Sequence, residues 1–333
     1  MTSRTPSPLP INEAAQLSRA VIDRVSEVLI GRTEVLELVL CGVLANGHIL
    51  LEDMPGLGKT LTVRTMAAAC GLEMGRVQFT PDLMPADVTG STVWDPANRR
   101  VEFRPGPLFT NLLLGDEINR APPKTQAALL EAMQERQVTI DGETHPLPQP
   151  FMVIATQNPI EFEGTYPLPE AQLDRFLLRT SVGTPTAEDE VEMVRRRIER
   201  RIDNPTVEPV IDLDTVRRLQ QTVEDVLLSE PLIEYVVALV RSTRTSSKTY
   251  SGASPRGVEA VVKLARARAL LAGRDYVTPD DVKAVAGPAL GHRIIVRPEL
   301  WVRGTSGDEV VADSLATVPT PTTLPSETTP PGS

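Results

Sequence analysis

The sequence predicts a three-layer α/β domain followed by a helical domain. Between residues 11 and 184, apolar strand-like runs at 48–52, 111–115 and 151–156 alternate with helical segments, which is the pattern of a sheet covered by helices on both faces. One such helix is expected from about residue 122 to 135. After Thr184-Pro185-Thr186 the chain is predicted to be helical to residue 318. Helix-start signals, each followed closely by proline or acidic residues, stand at Thr186, Asp214, Ser229, Ser254 and Thr278.

A glycine-rich turn follows the first apolar run, in the segment HILLEDMPGLGKT from His48 to Thr60. A strand that leads through such a turn into a helix presents backbone N–H groups and the positive helix end to phosphate oxygens. Lys59 would reach the β- and γ-phosphates, and the Thr60 hydroxyl would bind magnesium. Asp53 stands where the usual pattern opens with glycine, and aspartate tolerates left-handed backbone better than most residues. The predicted nucleotide-binding residues of the turn are Pro55, Gly56, Leu57, Gly58, Lys59, Thr60 and Leu61.

Two adjacent carboxylates end the second apolar run, which extends from Asn111 to Asp116 and Glu117. Such a pair is the expected partner of a phosphate-binding turn, with Asp116 holding magnesium and Glu117 polarising the attacking water. A strand that ends in a solvated acidic turn is the alternative. The presence of Lys59 and Thr60 on the same chain favours an ATPase site.

Asn158 follows the third apolar run, which extends from Phe151 to Thr156. An asparagine at the carboxyl end of a central strand can hydrogen-bond both the γ-phosphate and the water beneath it. An ordinary turn asparagine before Pro159 is the alternative, and the local sequence does not decide between the two.

Several segments together resemble the MoxR family of AAA+ ATPases. They are LEDMPGLGKT, QFTPDLMPADVTG, FRPGPLFTNLLLGDEINRAPPKTQAALLEAMQE, IATQNP, GTYPLPEAQLDRF and GASPRG, in the order of the family, and the match runs from about residue 12 to about residue 318. The resemblance implies an α/β fold in which a three-layer AAA+ P-loop nucleotide-binding domain carries a C-terminal helical lid domain. It also implies hydrolysis of ATP with Mg²⁺ by a ring homo-oligomer, a hexamer in relatives.

The resemblance assigns roles to further polar residues. Asn158 matches the first sensor of the γ-phosphate, and Arg256 matches the second. Arg175, in the segment Leu173 to Phe176, matches the arginine that such proteins supply across a subunit boundary, and Arg179 is near enough to be a rival. The expected catalytic set is therefore Glu117, Asn158, Arg175 and Arg256, with ATP bound between the α/β domain and the lid.

Two further segments match features of relatives that project toward partners. Residues 76–107 match the insertion in the second helix that marks this clade, and residues 137–150 match the hairpin before the first sensor. In relatives the activity assembles or activates other proteins, often ones with von Willebrand factor A domains. The resemblance thus implies a chaperone-like remodelling role with client proteins as partners.

The position of Arg256 has a physical reading that is independent of the family. Ser254 is a predicted N-cap and Pro255 the first helical residue, so Arg256 lies in the first turn. A cation there opposes the helix dipole, and a nearby anion such as a γ-phosphate would reverse that penalty. A surface arginine beside a carboxylate is the alternative.

The densest basic cluster is Arg195-Arg196-Arg197, at the end of a helix with an acidic first turn. Because this order of charges suits the helix dipole, a structural role is expected. A subunit or partner contact is the alternative.

Composition limits the class of partner and the compartment. A net charge of −10 without a sustained basic stripe argues against nucleic acid. Cys41 and Cys70 stand in apolar helical surroundings, which favours a reducing compartment, and the three histidines lack partners at metal-ligand spacing. The apolar run from Leu38 to Ala45 is too short to insert into a membrane, and no secretory signal is evident. A cytoplasmic location is therefore predicted.

These observations divide the chain into four segments. Residues 1–10 carry three prolines and no apolar period, and are predicted to be a flexible lead. Residues 11–184 form the ATPase core with its helix-2 insert, and residues 185–318 form the lid. Residues 319–333 are mostly proline, threonine and serine with one charge, and are predicted to be disordered.

Two other functional classes are compatible with this sequence. A metal-chelatase motor subunit shares the fold and the helix-2 insertion. A switch that binds ATP but scarcely hydrolyses it is suggested by Asp53, because a carboxylate beside the phosphates would weaken binding unless its side chain turns away. Glu117 and Arg175 argue against a pure switch. A DNA-translocating relative is disfavoured by the acidic balance.

Overall fold

The computed structural model describes residues 6–54, 56–158, 164–202 and 205–321. Three sequence predictions fall partly outside these ranges. They concern Pro55 of the phosphate-binding turn, residues 1–5 of the predicted lead, and residues 322–333 of the predicted tail.

The described residues form strands and helices in alternation, then helices with one small sheet. The strands are β1 (Ile49–Glu52), β2 (Met74–Gln78), β3 (Gly90–Asp95), β4 (Arg100–Pro105), β5 (Leu112–Asp116), β6 (Gln137–Ile140), β7 (Glu143–Pro146), β8 (Met152–Gln157), β9 (Leu178–Thr180), β10 (Thr249–Ser251) and β11 (Ile295–Val296). The helices are α1 (Ile11–Ser26), α2 (Thr33–Leu44), α3 (Lys59–Ala69), α4 (Pro85–Thr89), α5 (Pro123–Glu135), α6 (Glu170–Leu173), α7 (Ala187–Arg200), α8 (Leu213–Asp225), α9 (Glu230–Thr245), α10 (Pro255–Leu271), α11 (Pro279–Leu290), α12 (Pro298–Trp301) and α13 (Gly307–Thr317).

Five parallel strands make the central sheet, in the order β2-β5-β8-β1-β9. All five strands run the same way, so their carboxyl ends lie together at one end of the sheet. We call this the carboxyl end of the sheet, and the opposite one the amino end. The predicted α/β class is confirmed, and the three apolar runs of the sequence are β1, β5 and β8.

Alternating side chains of the strands enter two different cores. Ile49 and Leu51 pack with the N-terminal helices, α3 and the helices after residue 211, while Leu50 packs with α5 on the other face. This alternation follows from the two-residue repeat of a strand, and it produces the three layers. The predicted helix over 122–135 is α5, which begins at Pro123 and ends at Glu135.

The C-terminal helical lid is confirmed, with two differences in detail. Thr186, Ser229, Ser254 and Thr278 are N-caps as predicted, but α8 is capped by Asp212 rather than Asp214. The Asp212 side chain accepts the Thr215 N–H, which places the first helical residue two positions earlier. The lid also contains a two-stranded antiparallel sheet, β10 with β11, that helical periodicity did not reveal.

Two β-hairpins lie in the segments predicted to project toward partners. The β3–β4 hairpin lies within residues 76–107, and the β6–β7 hairpin lies within residues 137–150. The ring of Phe103 on β4 stacks on His145 of β7, with ring centroids 4.0 Å apart. The two hairpins therefore support each other.

The first described residues are packed on the lid. Leu9 is buried, and its backbone N–H donates to the Thr222 hydroxyl of α8 over 2.8 Å. Residues near Leu9 were predicted to belong to a flexible lead, but they are held on the protein, because the Leu9 side chain is buried in the core. None of the helices in the described ranges combines the length and apolar character needed to cross a membrane.

Candidate nucleotide-binding site

The glycine-rich turn has the backbone needed to surround an anion. Gly56 and Gly58 have φ values of 84° and 83°, a region that side chains rarely tolerate, and the space where their side chains would lie is open. Helix α3 begins directly after Gly58, so the N–H groups of its first turn face the same space. The Lys59 ammonium lies over the turn and donates to the backbone carbonyl of Asp53 over 2.6 Å. The described residues of the turn therefore have the backbone conformation that the sequence predicts.

Asp53 turns its carboxylate away from the phosphate-binding space. That carboxylate is buried and accepts hydrogen bonds from the Ser181 hydroxyl and the Val182 N–H, each 2.5 Å long, and from the Gly183 N–H. Asp53 is absent from the described residues with positive φ, so the opening position of this turn does not need glycine. The reason to suspect weakened phosphate binding is thereby removed.

Arg32 is a residue of this region that the sequence analysis missed. Its guanidinium donates to the carbonyls of Leu57, in the turn, and of Val182, both over 3.1 Å. Burial lowers the pKa of Arg32, and the negative charges of Asp53 and Asp189 oppose that shift. Arg32 and Asp53 thus join the turn to the segment after β9. Arg32 is far in sequence from Leu57 and Val182, so these contacts could not be predicted from the sequence.

The carboxylate of Asp116 lies at the carboxyl end of β5 and faces the first turn of α3. It is largely buried, and the hydroxyls of Thr60 and Thr156 lie 3.4 Å and 3.3 Å from its oxygens. Oxygen ligands of this type suit Mg²⁺, which binds through one or two protein oxygens and keeps several waters. The predicted magnesium pair, Thr60 and Asp116, is therefore brought together.

Arg76 on β2 is hydrogen-bonded to one carboxylate oxygen of Asp116. Its Nε donates to Asp116 Oδ2 over 2.8 Å, and its side chain is 54% exposed. Because β2 and β5 are neighbours, the two residues meet across the sheet. A cation at Asp116 has to compete with, or displace, the Arg76 guanidinium.

Glu117 follows directly in a left-handed backbone conformation, with φ of 58°. Its side chain accepts a 2.8 Å hydrogen bond from the Gln78 amide and lies 3.4 Å from the Arg120 guanidinium. Its N–H donates to the Thr156 hydroxyl, which fixes the backbone beside β8. Strained backbone of this kind persists where surrounding contacts over-determine it, often at functional sites.

Asn158 lies at the same end of the sheet as the acidic pair. It follows β8, which pairs directly with β5, and it is buried. The side-chain amide of Asn119 donates to the backbone carbonyl of Asn158 over 3.4 Å. The glycine turn, Asp116, Glu117 and Asn158 therefore converge on one region, because the strands that carry them are adjacent and parallel.

Arg175 and Arg256 lie at the other end of the sheet. The Leu177 N–H donates to the His48 carbonyl, just before β1, whereas the glycine turn follows β1; the strand between them spans roughly 13 Å at 3.3 Å per residue. Arg175 and Arg256 line one cavity of about 290 Å³. Arg256 therefore lies away from the glycine turn of its own subunit, because α10 begins beside Asp174 at the amino end.

This amino-end cavity is rich in positive charge. Its lining includes five cationic side chains and two carboxylates, those of Arg136, Arg175, Arg256, Lys263 and Arg293 with Asp174 and Glu259. Arg175 donates to the Leu130 carbonyl of α5, and its Nε is buried without a hydrogen-bond partner among the described residues. The cavity is thus suited to an anion that comes from outside the subunit.

A buried arginine holds the Arg175 segment in place. Arg293 donates to the Asp174 carboxylate and to the Phe176 carbonyl, the residues on either side of Arg175. Burial lowers the pKa of Arg293, and the Asp174 charge opposes that shift. The Ser254 hydroxyl also donates to Asp174, 3.0 Å away, so the same carboxylate joins the segment to the start of α10. Arg293 lies far along the chain from Arg175, so the sequence contained no indication that it belongs to this site.

Arg179, the predicted rival of Arg175, is engaged within the subunit. Its guanidinium pairs with Glu52 of β1 at 3.3 Å and with Asp308 of α13 at 2.9 Å. It therefore connects the sheet to the lid. Arg179 thus pairs with two carboxylates, whereas Arg175 lines the amino-end cavity.

The fold and the site together define the chain as a phosphate-loop nucleotide-binding protein with a helical lid. Comparison with known proteins agrees. Residues 48–178 match the model of the ATPase family associated with various cellular activities (AAA), and residues 241–314 match that of the AAA lid domain.

Relatives match over nearly the whole chain. Chaperone MoxR1 of Mycobacterium tuberculosis is 41% identical over 93% of this chain and 83% of its own, and protein YeaC of Bacillus subtilis is 45% identical over 90% and 93%. A crystal structure of a protein of Cytophaga hutchinsonii, assigned as an ATPase, superposes with a TM-score of 0.87 at 39% identity, covering 94% of this chain and 97% of that one. The chain belongs to the MoxR family of AAA+ ATPases and has the chaperone-like character of that family.

Proposed function

We propose that this protein hydrolyses ATP to ADP and phosphate, with Mg²⁺, at a site completed by a second copy of the chain. The observation that carries the proposal is the separation of the site into two halves. The glycine turn, the acidic pair and Asn158 lie at the carboxyl end of the sheet, whereas Arg175 and Arg256 line a cationic cavity at the amino end. A ring in which these two ends meet places both arginines beside a neighbour's phosphates.

Each half has a distinct task. The N–H groups of the turn and the Lys59 ammonium bind the phosphates of ATP, and Pro55, Leu57 and Leu61 complete this binding segment. Thr60 and Asp116 would hold Mg²⁺, which neutralises charge on the phosphates when bound. Arg76 donates to Asp116 Oδ2, so it would have to release this oxygen if Asp116 used it to hold the ion.

Glu117 accepts the proton of the attacking water, and Asn158 orients that water against the γ-phosphate. The hydrogen bond from Gln78 holds the Glu117 carboxylate before the reaction, so Glu117 has to exchange this partner for water. The neighbour's Arg175 then stabilises charge on the transferring group, a contribution typically worth about 10³–10⁵ in rate. Arg256 enters from the same neighbour and contacts the γ-phosphate as a sensor.

Hydrolysis in such a ring changes the fit between neighbouring subunits and does mechanical work on a bound protein. The resemblance of this chain to a protein named as a chaperone supports a remodelling role. We extend this to a hexameric cytoplasmic ring that acts on client proteins, including ones with von Willebrand factor A domains. Nucleic acid is not proposed as a partner, because the chain carries a net charge of −10.

A mixing experiment tests the shared site. Glu117→Gln and Arg175→Ala subunits are purified separately, and each is expected to form rings with ATPase activity at least about 10²-fold below wild type. Mixing them creates interfaces in which intact Glu117 faces intact Arg175, so activity should reappear as the proportions approach equality. The matched control mixes Glu117→Gln with Glu117→Gln/Arg175→Ala, in which no interface is complete.

Three outcomes would contradict the proposal in different ways. Mixed subunits that co-assemble but stay inactive would refute completion of the site by Arg175 from a neighbour. Wild-type protein that binds ATP but scarcely hydrolyses it at any concentration would favour the switch. Activity that requires a tetrapyrrole and a metal ion would favour the chelatase subunit.

A further inference from the structure

Helix α7 presents its polar side to the protein and its apolar side to solvent. Val191, Val194 and Ile198 recur at helical spacing, Ile202 follows the helix, and these side chains are 58%, 59%, 68% and 58% exposed. We call these four residues the α7 stripe. None of the fourteen residues of α7, all of them described, is buried. An amphipathic helix ordinarily turns its apolar side to the core, so the orientation of α7 is reversed.

Polar contacts hold the opposite side of the helix against the chain. The Arg196 guanidinium donates to the Glu27 carbonyl over 3.0 Å, just after α1, and pairs with Glu192 at 2.8 Å. Asp189 packs against Gly31 so closely that a Cβ added to that glycine would lie 2.1 Å from the carboxylate. These contacts fix which side of the helix faces outward, so the exposure of the α7 stripe follows from them.

The helix lies beside the nucleotide half of the site. Asp189 contacts Gly31, and the next residue, Arg32, bonds the Leu57 carbonyl of the glycine turn. The α7 stripe is therefore on the part of the surface that a neighbour must approach to bring Arg175 and Arg256 to the phosphates. A neighbour that completes the site comes close to α7.

Charge on the two surfaces is complementary. The first turn of α7 carries Glu188, Asp189 and Glu190, next to the glycine turn. The cavity that holds Arg175 and Arg256 at the other end of the sheet has five cations and two carboxylates. In a ring that brings these two ends together, the acidic turn of one copy would face the cationic surface of the next, an arrangement that fixes register and rejects wrong partners.

A membrane surface fits the same helix less well. From Glu188 to Arg201 the segment carries five acidic and five basic residues, so it has no net positive charge. Helices that lie on anionic membranes combine an apolar side with an excess of lysine and arginine. The balance of charge in α7 therefore favours a protein surface.

We propose that the α7 stripe docks onto the neighbouring copy of this chain and aligns the ring so that Arg175 and Arg256 reach the nucleotide. This inference rests on the proposed shared site and adds the surface that assembles it. The α7 stripe acts in positioning and does not touch the reacting atoms.

The test compares two double variants of the full-length chain. Val194→Ser/Ile198→Ser removes the centre of the α7 stripe. Leu227→Ser/Val302→Ser, the matched control, removes two apolar side chains that are 66% and 80% exposed elsewhere. Mass by light scattering, binding of a fluorescent ATP analogue and ATPase rate are measured over a range of protein concentrations with Mg²⁺.

The α7 variant should need on the order of 10²-fold more protein to assemble, since each exposed apolar side chain lost from an interface costs roughly tenfold in affinity. Its ATPase rate should rise at the same higher concentration, and its rate once assembled should approach that of wild type. Analogue binding to dilute subunits and the thermal unfolding midpoint should be unchanged, since exposed side chains contribute little to folding. The control should behave as wild type in every measurement.

Two results would overturn the docking proposal. Assembly of the α7 variant at the wild-type concentration would assign the α7 stripe to another occupant, and loss of binding to anionic lipid vesicles in that variant would identify a membrane surface. A wild-type protein that remains monomeric with nucleotide at every concentration would remove the shared site and the docking surface together. The first result leaves the shared site intact, so the two failures are distinguishable.

Discussion

Replacing Asp53 by glycine restores the usual opening of the phosphate-binding turn, and the structure predicts that this change harms the protein. The Asp53 carboxylate is 6% exposed and accepts hydrogen bonds from Ser181, Val182 and Gly183. It also provides one of the two negative charges near the buried Arg32 guanidinium, and Asp189 provides the other. Glycine would remove all of these interactions of Asp53.

The cost can be worked from those contacts. A buried donor left without an acceptor costs about 1–3 kcal/mol, and the Val182 N–H, on a residue that is 5% exposed, would be one. Glycine adds about 0.5–1 kcal/mol of backbone entropy, and the loss of one of the two negative charges near Arg32 adds more. We therefore expect the free energy of unfolding to fall by roughly 3–5 kcal/mol, and the thermal midpoint by roughly 5–10 °C.

Thermal unfolding without nucleotide, and titration with an ATP analogue, measure the two consequences. Asp53→Gly should lower the unfolding midpoint and weaken binding, because the turn loses its attachment to the segment after β9. Asp53→Asn, the matched control, keeps the size and one acceptor oxygen and should lose about half as much stability. A glycine variant that is as stable as wild type and binds nucleotide more tightly would refute this reasoning. It would favour the alternative in which the protein is a switch that binds ATP but scarcely hydrolyses it.

Three other predictions concern single side chains. Arg76→Ala should lower the Mg²⁺ concentration that gives half-maximal ATPase rate, since the guanidinium no longer competes for Asp116; an unchanged or higher value would show that Arg76 does not oppose the ion. Lys59→Ala should abolish tight binding of ATP analogues with the unfolding midpoint kept, and undiminished affinity would dismiss the phosphate-loop assignment. His48 is buried, donates from Nε2 to the Met133 carbonyl and accepts the Val153 N–H at Nδ1, and burial lowers its pKa from 6.5 to about 4. Because the unfolded chain binds this proton first, the contribution of His48 to stability should be constant above about pH 6.5 and fall by on the order of 3 kcal/mol toward pH 4. Burial also lowers the pKa of His292, to about 3, so His292 adds to the loss in the same direction. Denaturant unfolding against pH measures this slope, which His48→Gln should reduce; an equal slope in that variant would assign the effect to other groups.

Much of the nucleotide half of the site could be predicted from local sequence. A glycine turn between a strand and a helix permits few conformations, and the carboxyl ends of adjacent parallel strands must meet. For these reasons the turn at Gly56 and Gly58, the acidic pair and Asn158 could be expected together. The side-chain contacts of Asp53 could not, because Ser181 and Val182 approach only after β9 has joined the sheet beside β1.

The sequence by itself determined the fold class and the elements that carry the phosphate-binding groups, because strand and helix periods and glycine turns are local properties. The family followed from the resemblance of whole sequence segments. Tertiary structure alone decided that Arg256 lies with Arg175 at the amino end of the sheet, held there through Asp174 and Arg293. It also decided that α7 faces solvent with its apolar side. Periodicity shows which side chains share one surface of an element, but which elements meet, and whether an apolar surface is covered by its own chain or by another, depends on packing between distant segments.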